Sequence, residues 1–129
     1  MSKRRSGKTP ILISDRALRD MLAIEEYSIE TWGKRVASRY LADLEAALGR
    51  LAEHPEILRE EPELHDALRF YRVNKHLLIC DIQADAIFVL TVLHSSTDIP
   101  DRLSELEPNI KLEIELLHRK LQQSKKSRR

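Results

Sequence analysis

The sequence predicts an α+β domain: a helical hairpin packed on a four-stranded antiparallel sheet, followed by a C-terminal helical extension. Two observations carry this. Apolar residues recur at helical spacing as far as about residue 54, and from residue 68 the pattern changes to short β-rich runs joined by brief links. A third is length: 129 residues with 42% apolar content suit one modest core rather than two.

Each element has its own signal. Thr9 to Ser14 reads as a short β-branched strand, and Ser14 or Asp15 can cap the helix that follows. Leu18, Met21, Leu22, Ile29 and Trp32 lie near helical spacing, and Gly33 suits the end of that helix because glycine tolerates positive φ. From Lys34 to His54 the stripe Ala37, Tyr40, Leu41, Leu44, Ala47, Leu48 and Leu51 makes the clearest helix, stopped by Pro55. A one-residue link implies an antiparallel helical hairpin. Glu56 to Asp66, acidic and aperiodic, reads as a loop. Leu68–Val73, Leu77–Ile82 and Ala86–Leu93 then form a three-stranded antiparallel meander, and the N-terminal strand is placed beside the last of them. Pro100 and Pro108 punctuate the chain before a final stripe of Ile110, Ile114, Leu117 and Leu121, which either covers a sheet face or pairs with a second copy. The expected organisation is a disordered basic tail (1–8), a domain (9–106), an amphipathic helical extension (107–121) and a second disordered basic tail (122–129).

Charge is unevenly placed. Ten of the 22 basic residues lie in 1–8 and 118–129, which leaves 12 basic against 21 acidic residues between them, a net of −9. An acidic body disfavours dominant nucleic-acid binding, which depends on cations neutralising phosphates. The tails are expected to aid solubility or to touch an acidic partner, with at most weak nucleic-acid contact. The single cysteine, Cys80, sits in an apolar run and is expected to be buried and inert. No spacing suits a metal, no glycine-rich loop suits a nucleotide, and no cofactor is expected. No stretch reaches a membrane span, so the cytoplasm is the expected compartment.

Several strings together resemble the RelE/ParE toxin superfamily over roughly residues 11–106. They are Ala17-Leu18-Arg19-Asp20-Met21-Leu22 with Ile24 and Tyr27; Trp32-Gly33 with Ala37, Tyr40 and Leu44; Leu51-Ala52-Glu53-His54-Pro55; Leu68-Arg69-Phe70-Tyr71-Arg72-Val73 with Lys75-His76; and Val92-Leu93-His94 before Asp98-Ile99-Pro100 and Arg102-Leu103. The last is similar to the ParE-like branch. The resemblance implies a type II toxin that binds and inhibits DNA gyrase and is neutralised by a cognate antitoxin. The RelE-like alternative is a ribosome-dependent mRNA endonuclease, and a further one is a non-toxic relative that acts only as a binding module. RelE-like members carry arginines where this chain, as aligned, has Leu77 and Ser95. Neither can hold phosphate charge, so enzymatic cleavage is disfavoured.

The residues singled out for target or antitoxin contact are Trp32, Arg69, Arg72, Lys75, His76, His94, Asp98, Arg102 and Leu103. Were the chain a nuclease, Arg69, Arg72, Lys75 and His94 would be its catalytic set. Each has a plainer structural role to set against this. Arg69 and Arg72 can pair with acids of the 56–66 loop, and Trp32 can close the hairpin over the core. His94 can bond the Asp98 segment, while Asp98 can cap a helix. His54, His65 and His118 read as loop or surface residues.

Overall fold

The computed structural model describes residues 8–83 and 85–127, with side chains as far as residue 124. In order come β1 (Ile11–Ile13), α1 (Asp15–Trp32), α2 (Lys34–Glu53), β2 (Arg59–Glu60), β3 (Arg69–Val73), β4 (His76–Gln83), β5 (Ala86–His94) and α3 (Ile99–Ser127). The sheet order is β1-β5-β4-β3-β2.

β3, β4 and β5 form the antiparallel meander, and β1 lies beside β5. The sheet departs from the expected one in two ways. β1 runs parallel to β5, and the 56–66 segment contributes the edge strand β2, after a 3-10 turn at Pro55–Ile57. One cause explains both. Each short connection reverses the chain, and the unforeseen β2 adds one more reversal between β1 and β5, which turns an antiparallel neighbour into a parallel one.

Local chemistry sets the helix ends. Ser14 caps α1 by accepting from Ala17 N at 3.0 Å, while its own hydroxyl donates to Leu90 O at 2.8 Å. Gly33 closes α1 through its N–H to Ile29 O, at φ 92° and ψ 169°, a region open to glycine alone.

Two apolar layers enclose the sheet. On one face α1 and α2 bury Ala17, Leu44, Ala47 and Leu51 against Val73, Leu78, Cys80, Ile87, Val89 and Val92. On the other, α3 buries Ile99, Leu103, Leu106, Ile110, Leu117 and Leu121 against Phe70, Ile79, Phe88, Leu90 and Leu93. The stripe Ile110, Ile114, Leu117 and Leu121 therefore covers a sheet face, and these side chains are not free to join two copies. α3 runs without a break through residue 107, with Pro108 inside it, and continues past residue 121 to Ser127. A proline forfeits one backbone hydrogen bond there. Six buried aliphatic side chains, each worth roughly 1.5–3 kcal/mol, outweigh that cost. The basic tails fall partly outside the described residues, at 1–7 and 128–129.

Candidate functional site

A one-residue irregularity in β5 builds the site. Ile79 pairs with Thr91 but Cys80 pairs with Val89, so Leu90 is the extra residue of a β-bulge. Asp20 of α1 holds it: its carboxylate accepts from the Thr91 hydroxyl at 2.5 Å and from Val92 N at 2.9 Å. Strand side chains alternate between faces, so a slip of one residue sends those beyond it to the opposite face. Val89 and Val92, three apart, thus share the α1/α2 side, and His94 follows Val92 there instead of facing α3.

At the end of the sheet His94 stands opposite His76 in the β4–β5 register, with ring centroids 5.1 Å apart and the planes near-perpendicular. The Tyr40 hydroxyl of α2 hydrogen-bonds His76 Nδ1. His94 Nδ1 accepts from Ser96 N at 3.0 Å and meets Ser96 Oγ at 2.8 Å, so its bonds stay within its own turn and do not reach Asp98. Burial pushes the His76 ring down to about 4, with His94 nearby adding to the shift, so His76 is neutral at pH 7. Desolvation raises the Tyr40 phenol in turn. Both groups are hydrogen-bonding atoms, not charges, under ordinary conditions.

These rings form one wall of an open cavity of about 450 Å³, lined by Ala23, Ile24, Tyr27, Ser28, Trp32, Tyr40, Lys75, His76 and His94. Trp32 does not close the hairpin over the core. It is 54% exposed and meets Tyr27 edge-on with centroids 5.7 Å apart. Next to it, α2 begins with exposed Lys34 and Arg35, followed by Arg39, and has neither an acid in its first turn nor a side-chain cap. Cations at a helix N-terminus oppose the helix dipole, so Lys34 and Arg35 add to the positive potential at that end of α2.

The residues singled out from sequence divide into three groups. Trp32, Lys75, His76 and His94 meet in the cavity. Arg69 and Arg72 do not: Arg69 is tied to Glu60 at 3.2 Å, and the exposed Arg72 donates to Asn74 O at 2.9 Å. Asp98, Arg102 and Leu103 belong to the start of α3. There Asp98 caps the helix through Asp101 N at 3.2 Å, Arg102 pairs with Glu105 at 3.0 Å, and Leu103, 1% exposed, is sealed in the core. Leu77 packs against the α3 core, and Ser95 N donates to Lys75 O at 2.8 Å. His118 is half-buried on α3, where its ring meets Gln83 Oε1 at 2.6 Å. Tyr40 was hidden from sequence reasoning in an apolar stripe, although a phenol on such a stripe needs a partner for its hydroxyl. Asp20 gave no sequence signal beyond being an acid on a helix.

A helical hairpin thus lies over an antiparallel meander, with the cavity beside the hairpin's turn at Gly33. The chain belongs to the ParE family: residues 11–99 match "ParE toxin of type II toxin-antitoxin system, parDE". It is similar to Toxin ParE of Escherichia coli, 31% identical over 98 residues, 75% of this chain and 95% of that protein. Toxin ParE1 of Caulobacter vibrioides is 29% identical over 87 residues, 67% of this chain and 90% of that protein. Among solved structures, a chain described as the chromosomal ParDE TA system from P. aeruginosa shares the fold with a TM-score of 0.60 at 13% identity, covering 67% of this chain and 96% of that one. Nearly all of α3 lies beyond the family match.

Proposed function

We propose that the chain arrests growth by binding DNA gyrase in the cytoplasm, that it catalyses no cleavage, and that a cognate antitoxin neutralises it. The observation that carries this is the cavity beside the turn of the hairpin at Gly33. It presents exposed aromatic rings beside Lys75 and the basic start of α2. Exposed aromatics beside cations suit a protein partner that carries apolar anchors and acidic side chains. We assign Trp32, Lys75, His76 and His94 to that contact, with the antitoxin as their first occupant. Two further points support the reading. Arg69 and Arg72 are engaged elsewhere and do not converge on the cavity, and no described helix is long and apolar enough to cross a membrane.

Inducing the chain in growing bacteria tests this. DNA synthesis is expected to fall before protein synthesis, and co-expressed antitoxin should relieve the arrest. Protein synthesis failing first would contradict the proposal.

A second reading keeps one specific observation. Lys75, His76, His94 and Tyr40 are all proton-transfer groups within one cavity, which is a possible acid/base set for RNA cleavage. Cleavage of ribosome-bound messenger that is lost in His94→Ala would favour it; intact messenger would remove it.

A further inference from the structure

Next to that cavity α1 carries a second feature that the proposed activity leaves unexplained. Leu18, Leu22 and Ile29 fall on one stripe of the helix and all are exposed, Leu22 at 64%. Beside this stripe runs a shallow groove lined by Arg19, Leu22, Ala23, Glu25, Glu26 and Ile29. Arg19 and Glu26 make no ion pair among the described residues. They lie two turns apart, roughly 10 Å along the axis, too far to satisfy each other.

The order of these residues is symmetric. Arg19 and Glu26 are equidistant in sequence from the midpoint between Leu22 and Ala23. A two-fold axis through that midpoint, perpendicular to the helix, lays α1 antiparallel on its own copy. Each Leu22 then lies beside its own mate across the axis, and each Arg19 meets a Glu26, so the ion pair is made twice. The paired Leu22 side chains bury each other, the small Ala23 pair beside them lets the helices approach closely, and the two ion pairs fix the register. A different protein would need no such balance of charge about an apolar centre.

We infer that this groove is an interface with a second copy of the chain, formed by antiparallel pairing of α1 with α1. It adjoins the Trp32 cavity, with which it shares Ala23, but is centred on Leu22 and the Arg19 and Glu26 charges. One helix pair is a small interface, so association on the order of 10–100 µM is expected.

Light scattering on the full chain across a concentration series tests it. The mass should rise from 15.0 kDa toward twice that value. Arg19→Glu or Glu26→Arg alone should weaken association by roughly tenfold or more, because each disturbs two pairs at once. Arg19→Glu combined with Glu26→Arg should restore it, since the swapped charges meet again across the axis. In addition, Leu22→Cys should form an oxidised dimer, while the buried Cys80 cannot contribute. A monomer at every concentration, or a double variant that stays as weak as the single ones, would overturn the inference.

Discussion

The His76 ring loses water on folding, and its pKa drops to about 4 from an ordinary 6.5. Between these values the unfolded chain holds the extra proton and the folded chain does not. Stability from this group is therefore full above pH 6.5 and is lost as the pH falls toward 4. Protonation also makes both ring nitrogens of His76 donors, so the contact with the Tyr40 hydroxyl must then run from the ring to the phenol oxygen. Asp81 works in the opposite sense: burial raises its pKa, so its contribution is present at low pH and lost as the pH rises through its folded value. Thermal melts should show Tm falling from pH 7 to pH 5, and His76→Gln should flatten that slope. An unchanged slope would mean the ring is not shielded as described. Asp20 makes a second test at this scale. Asp20→Ala strands the Thr91 hydroxyl and the Val92 N–H, at a cost of roughly 1–3 kcal/mol in urea unfolding. Neither the Asp20 clamp nor the face of His94 was legible in the sequence. Ala86 to Leu93 is buried on both faces, so no period-two signal marks its register or its bulge.

α3 shows what happens when a local signal and a tertiary one disagree. Pro108 reads as punctuation, yet the helix passes through it because six side chains behind the same face are buried on the sheet. Those six contribute on the order of 10 kcal/mol, as much as the whole stability of a typical domain. Cutting the chain after Leu93 would accordingly unfold it, and loss of toxicity in that truncation would say nothing about target contact. Pro108→Ala is the informative change. It restores the backbone donor at a helix-interior position and should stabilise by about 1–3 kcal/mol in the same unfolding assay. A destabilised variant would contradict the continuous helix. The helical hairpin and the meander were legible, because their stripes and short links are local. β2 was not, since a two-residue edge strand in an acidic loop has no periodicity to detect.

Over the whole molecule, fold class and family were within reach of the sequence because the order of elements survives errors in single strands. The site was only partly so. Lys75, His76, His94 and Trp32 were named separately, and only the bulge and the hairpin's turn bring them into one cavity. Trp32 also supplies a probe, being the chain's single tryptophan. Antitoxin docking there should shift its fluorescence to the blue, and Lys75→Glu should weaken docking by roughly tenfold without lowering Tm. An antitoxin that binds tightly with no change at Trp32 would place the contact elsewhere. The central claim, a gyrase-directed toxin, is tested most directly by a supercoiling reaction with purified chain and the host's gyrase. Inhibited supercoiling that is relieved by the antitoxin is the predicted result. Undiminished supercoiling at a large excess of folded chain would contradict it.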